Sequence, residues 1–438
     1  MTSKSPLVVR ARYAWIRGNT LAYDVAILCS NGTIEALAPL DSDIATRWME
    51  RAANTVDAQW LLPGFINAHC HLEYSDFEGS LPSGPVPFGQ WLDAILEKRL
   101  KGSRRSPKES VLAGAAQLLA GGCTTVVDST THLESQQWLS ETPLRHFIFH
   151  EVLGLSPQRA HETMNRALEA IGQNSSPDGR FLGHGINPHA PYSCGPELRA
   201  LLRSFLSDRN DIPCAWHLGE TPDEDEILSS GSGSITEFLK RRGMALPLET
   251  PDNGLERHPL GAAAGFLEQE QLLEPCDVVF HGNTIAVSAY KKFRAPKAVV
   301  YCPGTHRYFA RPTFHVEQWL AAGANVCLGT DSKASAASLS MLDMLRLAAE
   351  DFPSLTGPQL IRMATANPAR SSLFKNCPFP IGTIQPGAAA DFVALSNADA
   401  QPQSLRDLLV SVNTQVEKVI IAAQLVYDFA SQSQFKPL

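Results

Sequence analysis

The feature that most limits what this chain can become is an eightfold alternation. Short apolar runs at 60–67, 124–128, 147–152, 181–187, 214–217, 278–281, 298–301 and 326–328 each end in, or lead into, polar residues. Between them lie longer stretches with helical spacing, at 109–120, 157–171, 196–207, 224–241, 315–322 and 341–350. Strands alternating with helices read as βα units on a parallel sheet, and eight such units match a closed (β/α)8 barrel. A doubly wound sheet is the competitor. It usually carries a Gly-rich phosphate turn after its first strand, and residues 63–73 contain no GxGxxG.

The two ends of the chain have a different character. Residues 7–16 and 24–29 read as strands, Asn31-Gly32 is a hairpin signal before a third run at 33–37, and residues 387–395 and 416–427 also read as strands. The expected fold class is therefore α/β: a (β/α)8 TIM barrel over residues 61–380, with a small composite β-sandwich domain formed by residues 1–60 and 381–438. A barrel of this kind can use most of a chain of 438 residues as one domain.

Bulk properties narrow the class of partner. Apolar residues make up 44% and charged residues 19%, enough for a sizeable core. The net charge of −8 disfavours a nucleic-acid scaffold, which usually shows a basic stripe. The one basic run, at 98–105, reads as a solvated helix end or loop. No run approaches the ~20 apolar residues of a membrane span, and residues 1–6 lack the pattern of a signal peptide. Nine cysteines occur with no CxxC or CxxxC pair, so buried reduced thiols in a cytoplasmic protein are expected rather than a zinc ribbon. Residues 79–87 read as a loop over the first strand end, and 229–234 as a flexible loop.

In a barrel, catalytic groups stand at the C-terminal ends of strands. Here the first strand ends in His69-Cys-His71, the fifth in His217-Leu-Gly-Glu220, the sixth in His281-Gly-Asn283 and the eighth in Gly329-Thr-Asp-Ser332. Alternate residues of a strand share a face, so His69 and His71 project together. Two imidazoles on one face can share a cation, and a catalytic zinc takes three or more protein N/O ligands; His217 and Asp331 are the natural further ligands. An isolated HxH is weak evidence, and a lone His at a strand end is usually a satisfied polar residue. The coincidence over four strands is what points to a metal site.

These segments resemble the amidohydrolase superfamily, in the branch of ring deaminases and triazine hydrolases. Pro63-Gly-Phe-Ile-Asn-Ala-His-Cys-His71 matches its first-strand motif, and Pro188-His-Ala-Pro-Tyr-Ser-Cys194 resembles its fourth-strand segment. His217-Leu-Gly-Glu220, Gly329-Thr-Asp-Ser332, and the segments 364–369 and 382–393 resemble its later motifs. The resemblance implies one divalent metal ion, Zn(II) or Fe(II), on His69, His71, His217 and Asp331. Glu220 would carry a proton from the water to a ring nitrogen, His281 would polarise the hydroxide or developing oxyanion, and Asp331 would also take the water proton. Binuclear relatives use a carboxylated Lys on the fourth strand. Residues 183–189 contain none, which favours one metal and leaves His189 to line the substrate pocket.

The implied reaction is hydrolytic deamination of an aminated heterocycle, with aminodeoxyfutalosine or an adenosine-like nucleoside favoured. A triazine-type or amide hydrolase with the same site is the alternative, and a non-catalytic interaction barrel the remote one. Two departures bear on substrate. The segment after the seventh strand, Tyr301-Cys-Pro-Gly-Thr-His-Arg-Tyr-Phe309, replaces a common Asn-Pro-x-Ser-Asn run, with His306 where Asn is common. Within it, Arg307 could pair with a substrate carboxylate or be a solvated surface group. Glu73, two residues past the HxH, could contact a ribose or ring, or cap its own turn. Homo-oligomers are common among relatives, an analogy only.

Overall fold

The computed structural model describes residues 6–102, 105–172, 179–248, 254–294, 297–398 and 404–431. Residues 1–5, which carry the N-terminal reading, and residues 103 and 104 of the basic run lie outside these.

Strands β1 (Leu7–Ile16), β2 (Thr20–Ser30), β3 (Thr33–Pro39) and β4 (Asn54–Pro63) open the chain. Asn31 and Gly32 both take positive φ, 48° and 82°, which closes the β2–β3 hairpin with the handedness a two-residue turn needs. Eight parallel strands follow: β5 (Phe65–Cys70), β6 (Cys123–Thr130), β7 (Arg145–Val152), β8 (Phe181–Pro188), β9 (Ala215–Leu218), β10 (Val278–His281), β11 (Ala298–Tyr301) and β12 (Val326–Leu328). The chain then returns through β13 (Phe392–Asn397), β14 (Thr414–Ile421) and β15 (Gln424–Asp428).

The terminal strands form one seven-stranded sheet in the order β15-β14-β13-β4-β1-β2-β3. It curls on itself, with Thr33 bridging to Ala389. Its residues serve two cores, and along β4 the partner changes from one to the other. Val56, Ala58 and Leu61 join the small domain's own core with Val9, Ile27 and Phe392. Trp60 and Leu62 pack instead among the barrel's outer layer, with Trp15, Leu118 and Val393.

The barrel strands pair as two quartets, β5-β6-β7-β8 and β9-β10-β11-β12. Two seams join them. At one, Ile186 bridges to Cys214, and the amide of Ile186 donates to the Pro213 carbonyl at 2.9 Å. At the other, Cys70 bridges to Asp331, and the amides of Thr330 and Asp331 both donate to the His69 carbonyl, at 3.1 and 3.0 Å. Ile66, Ala68, Val127, Phe147, Phe149, Val278, Phe280, Val300 and Cys327 fill the interior. Gly185 makes room for this layer: a Cβ there would meet the Phe149 ring at 2.4 Å.

The structure departs from the expected elements in several places: helices Asp43–Arg51, Ala262–Gln269 and Gly357–Met363 were not anticipated, and the expected loop 229–234 is only Gly231 and Ser232 between two helices. The apolar run 60–67 is not one strand: β4 stays with the small sheet through Pro63, crossing the expected boundary at 60 and 61, and β5 begins at Phe65. The handover falls on Gly64, whose amide donates to Asp391 and whose Cβ, if present, would sit 2.2 Å from the Thr124 hydroxyl. The stretch 224–241 is two helices, Pro222–Ser230 and Gly233–Arg241, because Gly231 takes a left-handed φ of 65° and ends the first. A helix absent from the expectation, Phe88–Lys101, covers the mouth side of the first strand. At its end Arg99 turns inward to the Tyr74 hydroxyl, 2.9 Å away.

Candidate metal centre and active site

Strand geometry decides which side chains reach the barrel mouth. On β5, Ile66 and Ala68 point inward, so uninterrupted alternation would turn His69 outward. The β5–β6 register shifts between Asn67 and Cys70, a bulge that re-aims the chain. Cys70 then joins the outer layer, and His69 lies inside, stacked at 3.8 Å on the Phe280 ring. On β7 the inward series Phe147, Phe149 continues to Glu151. On β9, Ala215 leads to His217, and after β12 the series Cys327, Gly329 leads to Asp331. Gly329 is needed there, because a Cβ would lie 2.9 Å from the His69 carbonyl oxygen. Left-handed backbone at His281 (φ 71°) and Asp331 (φ 57°) turns these two over the mouth, a local strain typical of working sites.

The resulting group is compact. His69, His71 and His217 each bring a ring nitrogen within 4.8 Å of the others, and ring nitrogens of His69 and His281 lie as close to each other and to a carboxylate oxygen of Asp331. The Nε2 atoms of His71 and His217 are 3.2 Å apart. Asp331 Oδ1 lies 4.0 Å from His69 Nε2 and 3.9 Å from His71 Nε2. Both ring nitrogens of His69 and Nδ1 of His71 are buried without a hydrogen-bond partner among the described residues. Unpartnered buried polar atoms cost free energy unless something satisfies them. Imidazoles with nitrogens this close suit a shared cation with bonds of about 2.0–2.1 Å. Burial, reinforced by the neighbouring histidines, holds His69 and His217 well below the ordinary imidazole pKa, so both are in the neutral, ligating form. His71 goes the other way. Burial opposes its charge, but the carboxylates of Glu151 and Asp331 outweigh it and raise the pKa.

Surrounding groups fix these donors. His217 Nδ1 faces the His189 carbonyl at 2.9 Å, which leaves Nε2 for the centre. Asp331 Oδ2 accepts from the Thr305 hydroxyl at 2.9 Å and from Ser335 at 3.4 Å, leaving Oδ1 toward the histidines. Asn67 ties β5 to the last strand: its side-chain nitrogen donates to Thr330 at 2.7 Å, and its oxygen accepts from the amides of His69 and Thr330.

Glu220 is buried beside this group, with Oε2 3.8 Å from His281 Nε2. Burial raises its pKa above the usual carboxylate value. His189 lies next to the centre, its ring 5.0 Å from that of His217 and its Nδ1 on the Ser193 hydroxyl at 2.9 Å. Burial and the nearby His71 and His281 push it down to about 3. Beside His189 opens a cavity of about 560 Å³, lined chiefly by Leu92, Leu96, Leu153, Tyr192, Phe238 and Leu239.

Two residues expected to touch substrate make protein contacts of their own, Glu73 beside the centre with His71 and Glu151, and Arg307 away from it. Arg307 is not brought into the group: its Nε and Nη2 donate to Asp351 and its Nη1 to Glu350, at 2.7–3.0 Å. Glu73 is buried, with Oε2 3.0 Å from His132 Nε2 and 3.3 Å from the Thr131 hydroxyl. Burial would raise its pKa, but His132 outweighs this and holds it below its usual value. It braces the loop after β6 rather than capping its own turn.

Two carboxylates at the mouth were not anticipated. Glu151 Oε1 stands 4.0 Å from His71 Nδ1 and 3.9 Å from His217 Nδ1, and burial pushes its pKa up to about 7. Asp128 accepts from the Leu72 amide and the Ser135 hydroxyl, both at 2.9 Å, and is also raised to about 7 by burial. The alternation Phe147, Phe149, Glu151 was the available signal for the first. For Asp128 the signal was its place as the polar residue ending the run 124–128.

Comparison with known proteins agrees with this geometry. The model of the amidohydrolase family matches residues 60–426. A 5-methylthioadenosine/S-adenosylhomocysteine deaminase of Pyrococcus furiosus is 28% identical over 352 residues, covering 77% of this chain and 74% of its own. Among solved structures, an aminofutalosine deaminase of Helicobacter pylori in complex with methylthio-coformycin superposes with a TM-score of 0.78 at 20% identity, over 96% of this chain and 100% of its own. An adenosine deaminase of Xanthomonas campestris with bound zinc does so at 0.76 and 21% identity, over 98% and 94%.

Proposed function

The chain belongs to the amidohydrolase family, and from that premise we propose that it is a metal-dependent aminohydrolase that replaces the amino group of an aminated heterocycle with oxygen and releases ammonia. The observation that carries the reading is the cluster of buried imidazole nitrogens without hydrogen-bond partners among the described residues, beside Asp331. His69, His71, His217 and Asp331 hold one divalent cation, Zn(II) or Fe(II); a nitrogen-rich set with one carboxylate suits either. When bound, such an ion makes hydroxide available near neutral pH.

The chain's own residues do the rest. Asp331 presents Oδ1 to take the proton of the attacking water, its other oxygen being held by Thr305 and Ser335. Glu220, buried and raised in pKa, delivers a proton to a ring nitrogen of the substrate, and His281 stands across its other side to steady the developing oxyanion. Asp331 hands the proton it took to the amino nitrogen, the bond from the ring carbon to that nitrogen breaks, ammonia leaves and the oxygen stays as a carbonyl; the proton that Glu220 gave the ring is the water's other one. The apolar cavity beside His189 receives the substituent attached to the ring. That cavity and the named deaminases favour a nucleoside-like substrate, with aminodeoxyfutalosine or an adenosine-like nucleoside first. Nine free thiols, eight of them buried, suit a reducing compartment such as the cytoplasm.

The test is ammonia release and ultraviolet change on adenosine, 5-methylthioadenosine, S-adenosylhomocysteine and aminodeoxyfutalosine, with elemental analysis of the protein. Ammonia from at least one, abolished by a chelator and restored by zinc or iron, is the expected result. No response to any adenine-containing compound would overturn it.

A further inference from the structure

Arg311 is a buried cation that the chemistry above does not use. Its side chain is 5% exposed. The guanidinium carbon sits 4.2 Å from the Phe309 ring centre and 5.2 Å from that of Phe88, so two aromatic faces hold its plane. Nε and Nη2, the two donors of its side-on edge, are buried and have no hydrogen-bond partner among the described residues. Buried Arg145, by contrast, commits the same two atoms to Asp391, at 2.6 and 3.1 Å.

The backbone is built to place this edge. Helix Pro303–Tyr308 ends at Phe309. Ala310 then takes a positive φ of 49°, an unfavourable conformation for a residue with a Cβ, and the Arg311 amide returns to the His306 carbonyl at 3.0 Å. His306 Nδ1 lies 3.2 Å from the Asn283 side-chain oxygen, and Asn283 donates to the Glu220 carbonyl at 3.0 Å. The loops after β9, β10 and β11 are thereby linked, with Glu220 and Arg311 at the two ends. Arg311 Nη2 stops 3.8 Å from Glu220 Oε1. That is close enough for attraction and too far for a hydrogen bond, so both groups keep their bonding capacity.

We propose that Arg311 is a specificity residue that reads the substrate ring: its open edge donates to an acceptor one carbon away from the ring nitrogen served by Glu220. Hydrogen bonds of about 2.9 Å that start from two groups this close converge on ring atoms flanking a single carbon. The chemical class is a six-membered heterocycle with an N–CH=N or N–C=O edge. An aminopurine fits by its N1 and N3, and a ring with carbon in place of the second acceptor leaves a buried charged donor unpaired. This rests on the aminohydrolase reading.

The experiment is a cycle between one residue and one substrate atom. The kcat/KM values of adenosine and 5-methylthioadenosine are compared with those of their 3-deaza counterparts, for the wild type, Arg311→Lys and Arg311→Met. The altered basicity of the 3-deaza ring enters all three enzymes equally and cancels. The wild type is expected to favour the parent compounds by at least about tenfold more than Arg311→Met does, the scale of a hydrogen bond to a charged donor. Arg311→Lys, which keeps the charge but not the fork, falls between. Equal preference in wild type and Arg311→Met overturns the assignment. So does a wild type that handles parent and 3-deaza compounds alike, a result that needs no variant to fold. Ammonia from none of the compounds overturns the aminohydrolase reading itself; ammonia from adenosine without discrimination overturns only the role of Arg311.

Discussion

The two ends of the barrel treat buried charge in opposite ways. At the base, where strands begin, buried charges are matched. Arg145 at the start of β7 clasps Asp391 in a bidentate pair, and Asp277 just before β10 takes both Arg294, at 3.1 Å, and the Cys214 amide, at 2.8 Å. At the mouth, where strands end, His69, Glu151 and Arg311 all hold buried polar atoms with no hydrogen-bond partner among the described residues. A matched charge holds neighbouring elements in place. An unmatched one is costly unless a cation or a substrate completes it. The same amino-acid types therefore serve stability at one end and chemistry at the other, and the difference lies in the partner, not in the residue.

That contrast can be broken experimentally. Asp331→Asn is expected to abolish turnover and lower the metal found by elemental analysis, with His217→Ala doing the same. The melting temperature of the metal-free Asp331→Asn protein should hold or rise, since Asn keeps the Thr305 and Ser335 contacts while removing a buried charge. A fully active, metal-free Asp331→Asn enzyme would end the metal scheme. Glu220→Gln should retain metal and lose about 10²–10⁴ in kcat/KM, the range for a removed proton-transfer group; a loss under fivefold removes Glu220 from that role.

Arg145→Met tests the other end. Leaving Asp391 buried with only the Ala422 amide, 2.8 Å away, and no cation should cost about 3–5 kcal/mol in denaturant unfolding, while kcat of the folded fraction is unchanged. If kcat fell with stability unaltered, the division between base and mouth would be wrong. The smallest effect belongs to Arg307→Gln. Its half-exposed ion pairs should be worth no more than about 1 kcal/mol, with kcat/KM unmoved; a tenfold drop on an anionic substrate would return Arg307 to the binding site.

Much of the barrel was legible because its strands are short apolar runs closed by histidine or aspartate, and because period-two alternation places His69 with His71. The mouth was legible only where a side chain follows the HxH, HxxE or terminal Asp pattern. The bulge between Asn67 and Cys70, which turns that pair inward, leaves no mark in composition. Glu151 sits in the run Phe147-Ile-Phe-His-Glu-Val152, which reads as plain strand core. Arg307, in the last turn of helix Pro303–Tyr308, and Arg311, just past its end, are four residues apart, and only the left-handed step at Ala310 and the position of Asp351 decide which faces the mouth. The break between β4 and β5 was hidden because apolar character continues through it, and only Pro63-Gly64 marks the change of sheet.

The carbonyl of His69, which accepts both amides of the last seam, has a consequence for how the protein is made. The side chain of Asn67 reaches Thr330 across 263 residues of sequence, so the first and last barrel strands meet only after nearly everything between them has been synthesised and folded. Contacts of such long range form late, because the loop they close must be paid for in chain entropy first. His69 and His71 leave the ribosome early and wait as an incomplete pair until Asp331 arrives, so barrel closure and the competence to take up metal are one event in the life of the chain.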